Sequence, residues 1–468
     1  MDVDLMQLLT TAAEVGARHR ETVASRPVHP APDPAALAAA FGGDLPAGST
    51  PPDEVVRQLV EAATPGLVGT VGPRFFGFVI GGSSPAATAA DLLATGWDQC
   101  AYNEVLSPAA AAAERSAGRW AKQLLGLPAA ASVGFVTGAQ SANTVGLAVG
   151  RHKVLADAGW DVERDGLFGA PRVVIVASEE RHATVDRAAR LLGFGTSAIH
   201  PVAATEQGAI DIDALGHSLE ALAGQPVIVC LQSGNVNTGA CDDLRRAIPL
   251  ARSIGAWVHI DGAFGLWAAA SPRTAHLVDG VEAADSWGTD AHKWLNVPYD
   301  SGLAFCADAA LHAATMSYAA SYLTGSGASS DFVLGDLTPE SSRRARGFAV
   351  WAALRELGAD GVADLVDRSC SQARHMASRL ESGGATVHND IVLNQLLVSL
   401  GDAAHTDAII EAVQRDGTCW VGGTTWHGMR LIRVSVSNAT TTDDDIDLSA
   451  DAILRAAAAV EAAASPST

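Results

Sequence analysis

From about residue 115 onward, short apolar runs rich in β-branched residues alternate with alanine-rich stretches of helical texture. This alternation limits the possible folds more than any other feature. The runs Val133-Gly134-Phe135-Val136, Val173-Val174-Ile175-Val176, Val227-Ile228-Val229-Cys230 and Ala256-Trp257-Val258-His259-Ile260 are almost continuously apolar. Strands read that way when both faces of their sheet are covered, and parallel neighbours need long crossovers, usually helical, between them. The spacing therefore predicts an α/β fold with a mostly parallel sheet flanked by helices.

The texture differs at both ends. Leu5, Leu8, Leu9, Ala12 and Val15 recur at helical spacing, and the proline-rich passage from Arg26 to Pro52 reads as an extended arm around one helix. Beyond Arg346, helical stretches over 348–357 and 362–380 lead to strand candidates at 391–398 and 430–436. A last helix is expected after the cap signal Thr440-Thr441-Thr442-Asp443. We divide the chain into an N-terminal helical arm (1–65), a large domain (66–345) and a smaller C-terminal α+β domain (346–468). The 468 residues exceed what one compact core usually holds.

Composition excludes some partners. A formal charge of −21 would be repelled by nucleic acid and by anionic membrane surfaces. No apolar stretch nears the roughly 20 residues that span a bilayer, and the start Met1-Asp2-Val3-Asp4 lacks the order of a secretion signal. The six cysteines are scattered without a CxxC pair, as reduced thiols rather than a disulfide framework or zinc site. A soluble cytoplasmic protein without a metal centre is expected.

Four segments carry chemistry. Gly134-Phe135-Val136-Thr137-Gly138-Ala139-Gln140-Ser141-Ala142-Asn143 reads as a strand, a turn of small residues and a helix N-terminus, which presents backbone N–H groups to a phosphate. Ser178-Glu179-Glu180-Arg181-His182 places a histidine just after a buried strand, either flat over a planar cofactor or as a structural hydrogen-bonder. His259-Ile260-Asp261-Gly262-Ala263 ends an apolar strand with a carboxylate. Opposite a pyridine nitrogen it would keep that nitrogen protonated and the ring an electron sink; by itself it also reads as a turn or cap aspartate. Asp290-Ala291-His292-Lys293-Trp294 suits an amine held in a pocket, since only a free amine attacks an aldehyde.

In that order the four segments resemble the group II pyridoxal-phosphate decarboxylases, which include aromatic-L-amino-acid and glutamate decarboxylases. The resemblance covers nearly the whole chain, from Arg74-Phe75-Phe76-Gly77-Phe78 and Ser83-Ser84-Pro85 through Ser107-Pro108 and Glu114 to Ser342-Arg343-Arg344-Ala345-Arg346 and Arg433-Val434-Ser435-Val436. It implies a fold-type I architecture with a seven-stranded sheet, and a homodimer with shared active sites. It also implies pyridoxal 5'-phosphate carried by Lys293 as a Schiff base. Asp261 would pair with the ring nitrogen, His182 stack on the ring and Ala263 pack beneath it. Gly138, Ala139, Gln140 and His292 would surround the phosphate. Three departures stand out: the phosphate turn is one residue shorter than the commoner Thr-Ser-Gly-Gly-Ser-x-Ala-Asn, Asp290 stands where some relatives carry Asn near the phosphate, and Asn235-Val236 replaces Thr-Thr. Asn235 is a candidate partner for the ring's phenolic oxygen or the substrate.

The reaction implied is decarboxylation of an L-amino acid to the amine. Tyr322 opens a Gly/Ser-rich stretch and matches the family's loop tyrosine, which protonates the substrate's α carbon; Tyr318 is its local competitor. Phe78, Ile80 and Tyr102 are expected to line a largely apolar substrate pocket, which favours an aromatic or medium-sized aliphatic side chain over glutamate or aspartate. Arg433 either anchors the substrate carboxylate or serves a structural ion pair. A carbon–carbon lyase or synthase, an aldehyde-forming enzyme and a non-catalytic binding module are the alternatives on the same scaffold.

Overall fold

A computed structural model describes residues 4–30, 32–318 and 333–464. The chain opens with helices α1 (Leu5–Thr22), α2 (Pro34–Phe41), α3 (Pro52–Ala63), α4 (Pro85–Trp97) and α5 (Pro108–Leu124), and α6 (Ala139–Asp157) follows the first strand. Each of α2 to α5 starts with proline in its first turn, where the missing N–H has no intrahelical acceptor to lose. The proline-rich passage from Arg26 to Pro52 holds the one helix expected there, α2, and α3 begins at its last residue.

Contacts divide the chain into two compact units, Met1–Ile80 with Arg374–His388 and Leu396–Thr468, and Gly81–Ala373 with Asn389–Gln395. The larger unit is built on seven strands: β1 (Ser132–Val136), β2 (Val174–Ser178), β3 (Ile199–Val202), β4 (Val227–Gln232), β5 (Trp257–Asp261), β6 (Ser286–Asp290) and β7 (Gly302–Cys306). Their order is β1-β7-β6-β5-β4-β2-β3. All neighbours from β6 to β3 are parallel, while β7 runs antiparallel to both β1 and β6. This is the α/β fold read from the alternation. The four strands anticipated there are β1, β2, β4 and β5, with ends shifted by up to two residues.

The sheet is covered on one face by α6, whose Val145, Leu147 and Val149 join Ile175, Ala177, Ile228 and Trp257 in one buried cluster. Full burial of each such side chain contributes about 1.5–3 kcal/mol. In the same unit α5 buries Glu114 in a two-pronged ion pair with Arg343, at 2.6 and 2.7 Å. Burial pushes the Glu114 carboxyl up against the pull of that guanidinium.

The smaller unit carries a four-stranded sheet, β8 (Thr386–Val387), β9 (Gln395–Ser399), β10 (Gly422–Trp426) and β11 (Met429–Ser435), in the order β10-β11-β9-β8. The strand expected over 391–398 starts only at Gln395. Asn389 instead ties its own segment to the larger unit by donating to the Thr238 carbonyl at 3.1 Å. In the smaller unit Phe75 and Phe78 both stack on Trp420, at centroid distances of 4.8 and 5.3 Å. Phe78 and Val79 hold φ of 54° and 59°, a left-handed conformation that side chains rarely adopt and that costs about 1–3 kcal/mol per residue. Among the described residues no helix is long and apolar enough to cross a membrane.

Candidate active site

The chemistry-bearing residues of the larger unit converge on one edge of its sheet. His182, Asn235, Asp261 and Lys293 follow or end the parallel strands β2, β4, β5 and β6, and the Gly138 turn follows β1. In open α/β sheets the carboxyl edge is where ligands bind, because strand ends and helix N-termini meet there.

Asp261 ends β5 and is 5% exposed. Its Oδ1 accepts the Ala263 N–H at 3.3 Å, and its Oδ2 lies 3.5 Å from the Thr184 hydroxyl. Burial pushes this carboxyl up, opposed by the charges of His182 and Lys293 and by a hydrogen bond from Asn143. Among the described residues Asp261 enters no ion pair within 4.0 Å. A buried carboxylate in that state is costly unless a cation faces it.

Lys293 follows β6 and places Nζ 3.0 Å from Asp290 Oδ2. Asp290 Oδ1 accepts the Ala139 N–H at 2.5 Å and lies 3.4 Å from His292 Nε2. The one carboxylate thus caps α6 and also faces both basic neighbours, which reduces the conflict expected between an aspartate and a phosphate. A helix leaves its first N–H groups without intrahelical acceptors, so the start of α6 is a place where an anion finds donors. His292 Nδ1 accepts the Ser301 N–H at 3.2 Å, and its ring lies on Tyr299 at 4.4 Å. Burial pushes His292 down, so its neutral form carries its proton on Nε2, toward Asp290.

His182 caps the helix Ala183–Leu191, accepting the Thr184 N–H on Nδ1 at 3.3 Å. Gln140 Nε2 donates to the Thr184 carbonyl at 3.2 Å, which links the turn after β1 to the His182 segment. Asn235 donates to the Glu180 carbonyl at 3.1 Å, while its Oδ1 accepts from Asn237 N–H at 2.8 Å. Its carboxamide therefore holds the β4 turn and the segment that leads to His182. Gly81 lies so close to the Lys293 carbonyl that a Cβ there would sit 1.6 Å from the oxygen, so no other residue fits.

Of the substrate candidates, Tyr102 is in the larger unit, with Gly335 donating its N–H to the Tyr102 carbonyl at 2.8 Å. Phe78, Ile80 and Arg433 belong to the smaller unit, where Arg433 pairs in register with Gly422 and burial lowers its pKa. Tyr322 lies outside the described residues. Thr184, Asn143 and Tyr299, which touch these residues, had no role in the sequence reading. A polar residue at the start of a helix or on a loop carries no periodic signal.

This arrangement can hold a planar, anionic aldehyde that contains a basic ring nitrogen. The turn supplies N–H donors for the anion, Lys293 an amine for the carbonyl carbon, and Asp261 a buried acceptor suited to a protonated ring nitrogen. Residues 34–394 match the family model described as the pyridoxal-dependent decarboxylase conserved domain. Tryptophan decarboxylase 1 of Oryza sativa subsp. japonica is 27% identical, covering 93% of this chain and 90% of its own. The 4-hydroxyphenylacetaldehyde synthase of Rhodiola rosea is 25% identical over 95% of this chain and 94% of its own. The crystal structure of Oryza sativa TDC with PLP and tryptamine superposes with a TM-score of 0.91 at 23% identity, covering 97% of this chain and 98% of that one.

Proposed function

Because this chain belongs to the pyridoxal-dependent decarboxylase family, we propose that it removes the carboxylate of an L-amino acid with an aromatic or medium-sized apolar side chain, releasing the amine. The observation that carries the reading is the buried Asp261 carboxylate, set at the end of a central strand within electrostatic reach of Lys293 and His182. Bound pyridoxal phosphate supplies the electron sink for the bond that breaks. Lys293 would hold its carbonyl carbon, and Asp261 would face its ring nitrogen. His182 and Ala263 would flank the ring. Gly138, Ala139, Gln140 and His292 would receive the phosphate, with Asp290 turned onto the α6 N-terminus and Lys293. Asn235 would hold the His182 segment and direct its remaining amide hydrogen toward the phenolic oxygen.

The substrate assignment rests on the apolar residues Phe78, Ile80 and Tyr102 and on a relative named for tryptophan. Arg433 is assigned to the substrate carboxylate, and Tyr322 to proton delivery at the α carbon. A second reading, in which the product is an aldehyde, is favoured by the similarity to 4-hydroxyphenylacetaldehyde synthase. The tyrosine at position 322 favours the amine. Purified protein given pyridoxal phosphate and a panel of L-amino acids is expected to release carbon dioxide and amine from aromatic substrates first. Turnover confined to glutamate or aspartate would overturn the substrate assignment, and aldehyde in place of amine would select the second reading.

The assembly proposed is a homodimer with shared sites in a cytoplasmic setting. Helices α1 and α3 bury none of their residues and leave Leu5, Leu9, Val55 and Leu59 exposed, an apolar surface that fits a second copy. The six cysteines are free thiols, as a reducing compartment would keep them. The three-part division into arm, large domain and C-terminal domain is part of the same proposal, and limited proteolysis near residues 65 and 345 tests it.

A further inference from the structure

Three residues on one face of β5 lead away from the cofactor edge: Asp261 at the strand end, His259 behind it and Trp257 behind that. His259 is completely buried, and burial pushes it down to about 3, so its ring is neutral and carries a single N–H. His259 Nε2 lies 3.0 Å from Asn143 Oδ1, and His259 Nδ1 lies 2.9 Å from Ser286 Oγ. The Trp257 indole N–H donates to the same Ser286 Oγ at 3.1 Å.

The hydrogen positions in this cluster follow from the chemistry of its two ends. Indole nitrogen only donates, and an ionised carboxylate only accepts. Asn143 Nδ2 donates to Thr184 Oγ1 at 3.1 Å, that oxygen lies 3.5 Å from Asp261 Oδ2, and the Asn143 amide acts to lower the Asp261 pKa. Its amide hydrogens thus face Asp261, and its carbonyl oxygen faces His259. The carbonyl must receive a proton, so His259 is protonated on Nε2 and its Nδ1 accepts from the Ser286 hydroxyl. Every hydrogen then points the same way: Trp257 to Ser286, Ser286 to His259, His259 to Asn143, and Asn143 toward Asp261 and the Thr184 hydroxyl beside it. Chains aligned in this sense polarise one another and strengthen the last bond, which is the one to the carboxylate.

Helix α6 is shaped around this row. A Cβ on Gly146 would lie 2.3 Å from His259 Nδ1, and one on Gly150 would lie 2.6 Å from Trp257 Cδ1. Glycine weakens a helix interior by roughly 1 kcal/mol relative to alanine. Two of them, one turn apart and over these two rings, show that the helix gives way to the chain.

We propose that Asn143, His259 and Ser286 are positioning residues for the cofactor, forming a directed hydrogen-bond chain that holds Asp261 as a carboxylate and so keeps the proton on the ring nitrogen it faces. The proposal rests on the assignment of Asp261 to the ring nitrogen made above. Without the Asn143 hydrogen bond the carboxylate becomes more basic in its dry site, and the proton passes from ring to carboxyl. The chain touches neither substrate nor cofactor and acts only through Asp261.

The test is the ring-nitrogen resonance of holoenzyme loaded with 15N-labelled pyridoxal phosphate, read at neutral pH without substrate. Asn143→Leu and His259→Leu are expected to move it toward the position of unprotonated pyridine, and His259→Gln, which can both donate and accept, to restore most of the shift. kcat should fall roughly 10- to 100-fold in the two leucine variants, with KM changed far less, as for a lost hydrogen bond to a charged group. Gly146→Ala leaves every polar group present and crowds the His259 ring and the Ser286 hydroxyl, two links of the chain; it is expected to shift the resonance the same way, and it serves if the leucine variants do not fold. A resonance unmoved in these variants while Asp261→Asn moves it would overturn the chain. A resonance unmoved even in Asp261→Asn would instead refute the assignment beneath it.

Discussion

At the scale of single residues, burial sets the charge state of two core histidines, one behind Asp261 and one against the start of β1. His259 at about 3 and His312 at about 4 stay neutral in the fold, held down by burial, whereas in the unfolded chain each takes up a proton near pH 6.5. Their folded pKa values lie below the unfolded ones, so the stability they contribute is complete above about pH 6.5 and is lost as pH falls toward 4. Each should remove about 2–3 kcal/mol by pH 4.5, about 5 kcal/mol for the pair. Urea midpoints measured from pH 7 to 4.5 are expected to fall progressively below pH 6.5; a midpoint that rises on acidification would contradict this. Lys293, Asp261 and His182 were legible in the sequence because each sits in a distinctive local run. Thr184 and Asn143 were not, because their meaning lies in contacts with residues 41 or more positions away.

At the scale of elements, the covered sheet was legible in part. β1, β2, β4 and β5 are continuous apolar runs, whereas β6 is Ser286-Trp287-Gly288-Thr289-Asp290, whose polar residues are buried by tertiary bonds such as Thr289 Oγ1 to the Gly262 carbonyl at 2.8 Å. Pattern reading finds strands that bury carbon and passes over those that bury satisfied polar groups. The two helical stretches read at 348–357 and 362–380 run as Gly347–Ser382, interrupted at Gly358, where φ is 62°. The buried link from α5 to the segment before that helix gives a sharper expectation. Removing one partner of the Glu114–Arg343 pair strands a charge, so Glu114→Ala should destabilise the fold by about 3–5 kcal/mol. The double variant Glu114→Leu/Arg343→Met should recover most of that loss in a thermal melt. Equal losses in the single and double variants would mean that the pair's charges are not what the site needs.

At the scale of the whole molecule, a formal charge of −21 repels polyanions, and the small-molecule reading rests on the groups gathered at the carboxyl edge of the larger unit's sheet. If active sites are shared between subunits, mixing inactive Lys293→Ala and Tyr322→Phe chains should regain about a quarter of wild-type amine formation, since half of the dimers are hybrids with one intact site. No recovery after unfolding and refolding the mixture would place both residues in one subunit. The central claim is that Lys293 binds the cofactor through which carbon dioxide is lost, and the most direct measurement is a visible absorbance spectrum of the purified holoprotein followed by carbon dioxide release from L-tryptophan. Wild-type holoprotein should show a visible cofactor band that borohydride bleaches while fixing the cofactor covalently on Lys293; the band should be absent from Lys293→Ala, and carbon dioxide release should accompany it only in the wild type. A wild-type protein with no such band after addition of pyridoxal phosphate, or an unchanged band and turnover in Lys293→Ala, would contradict it.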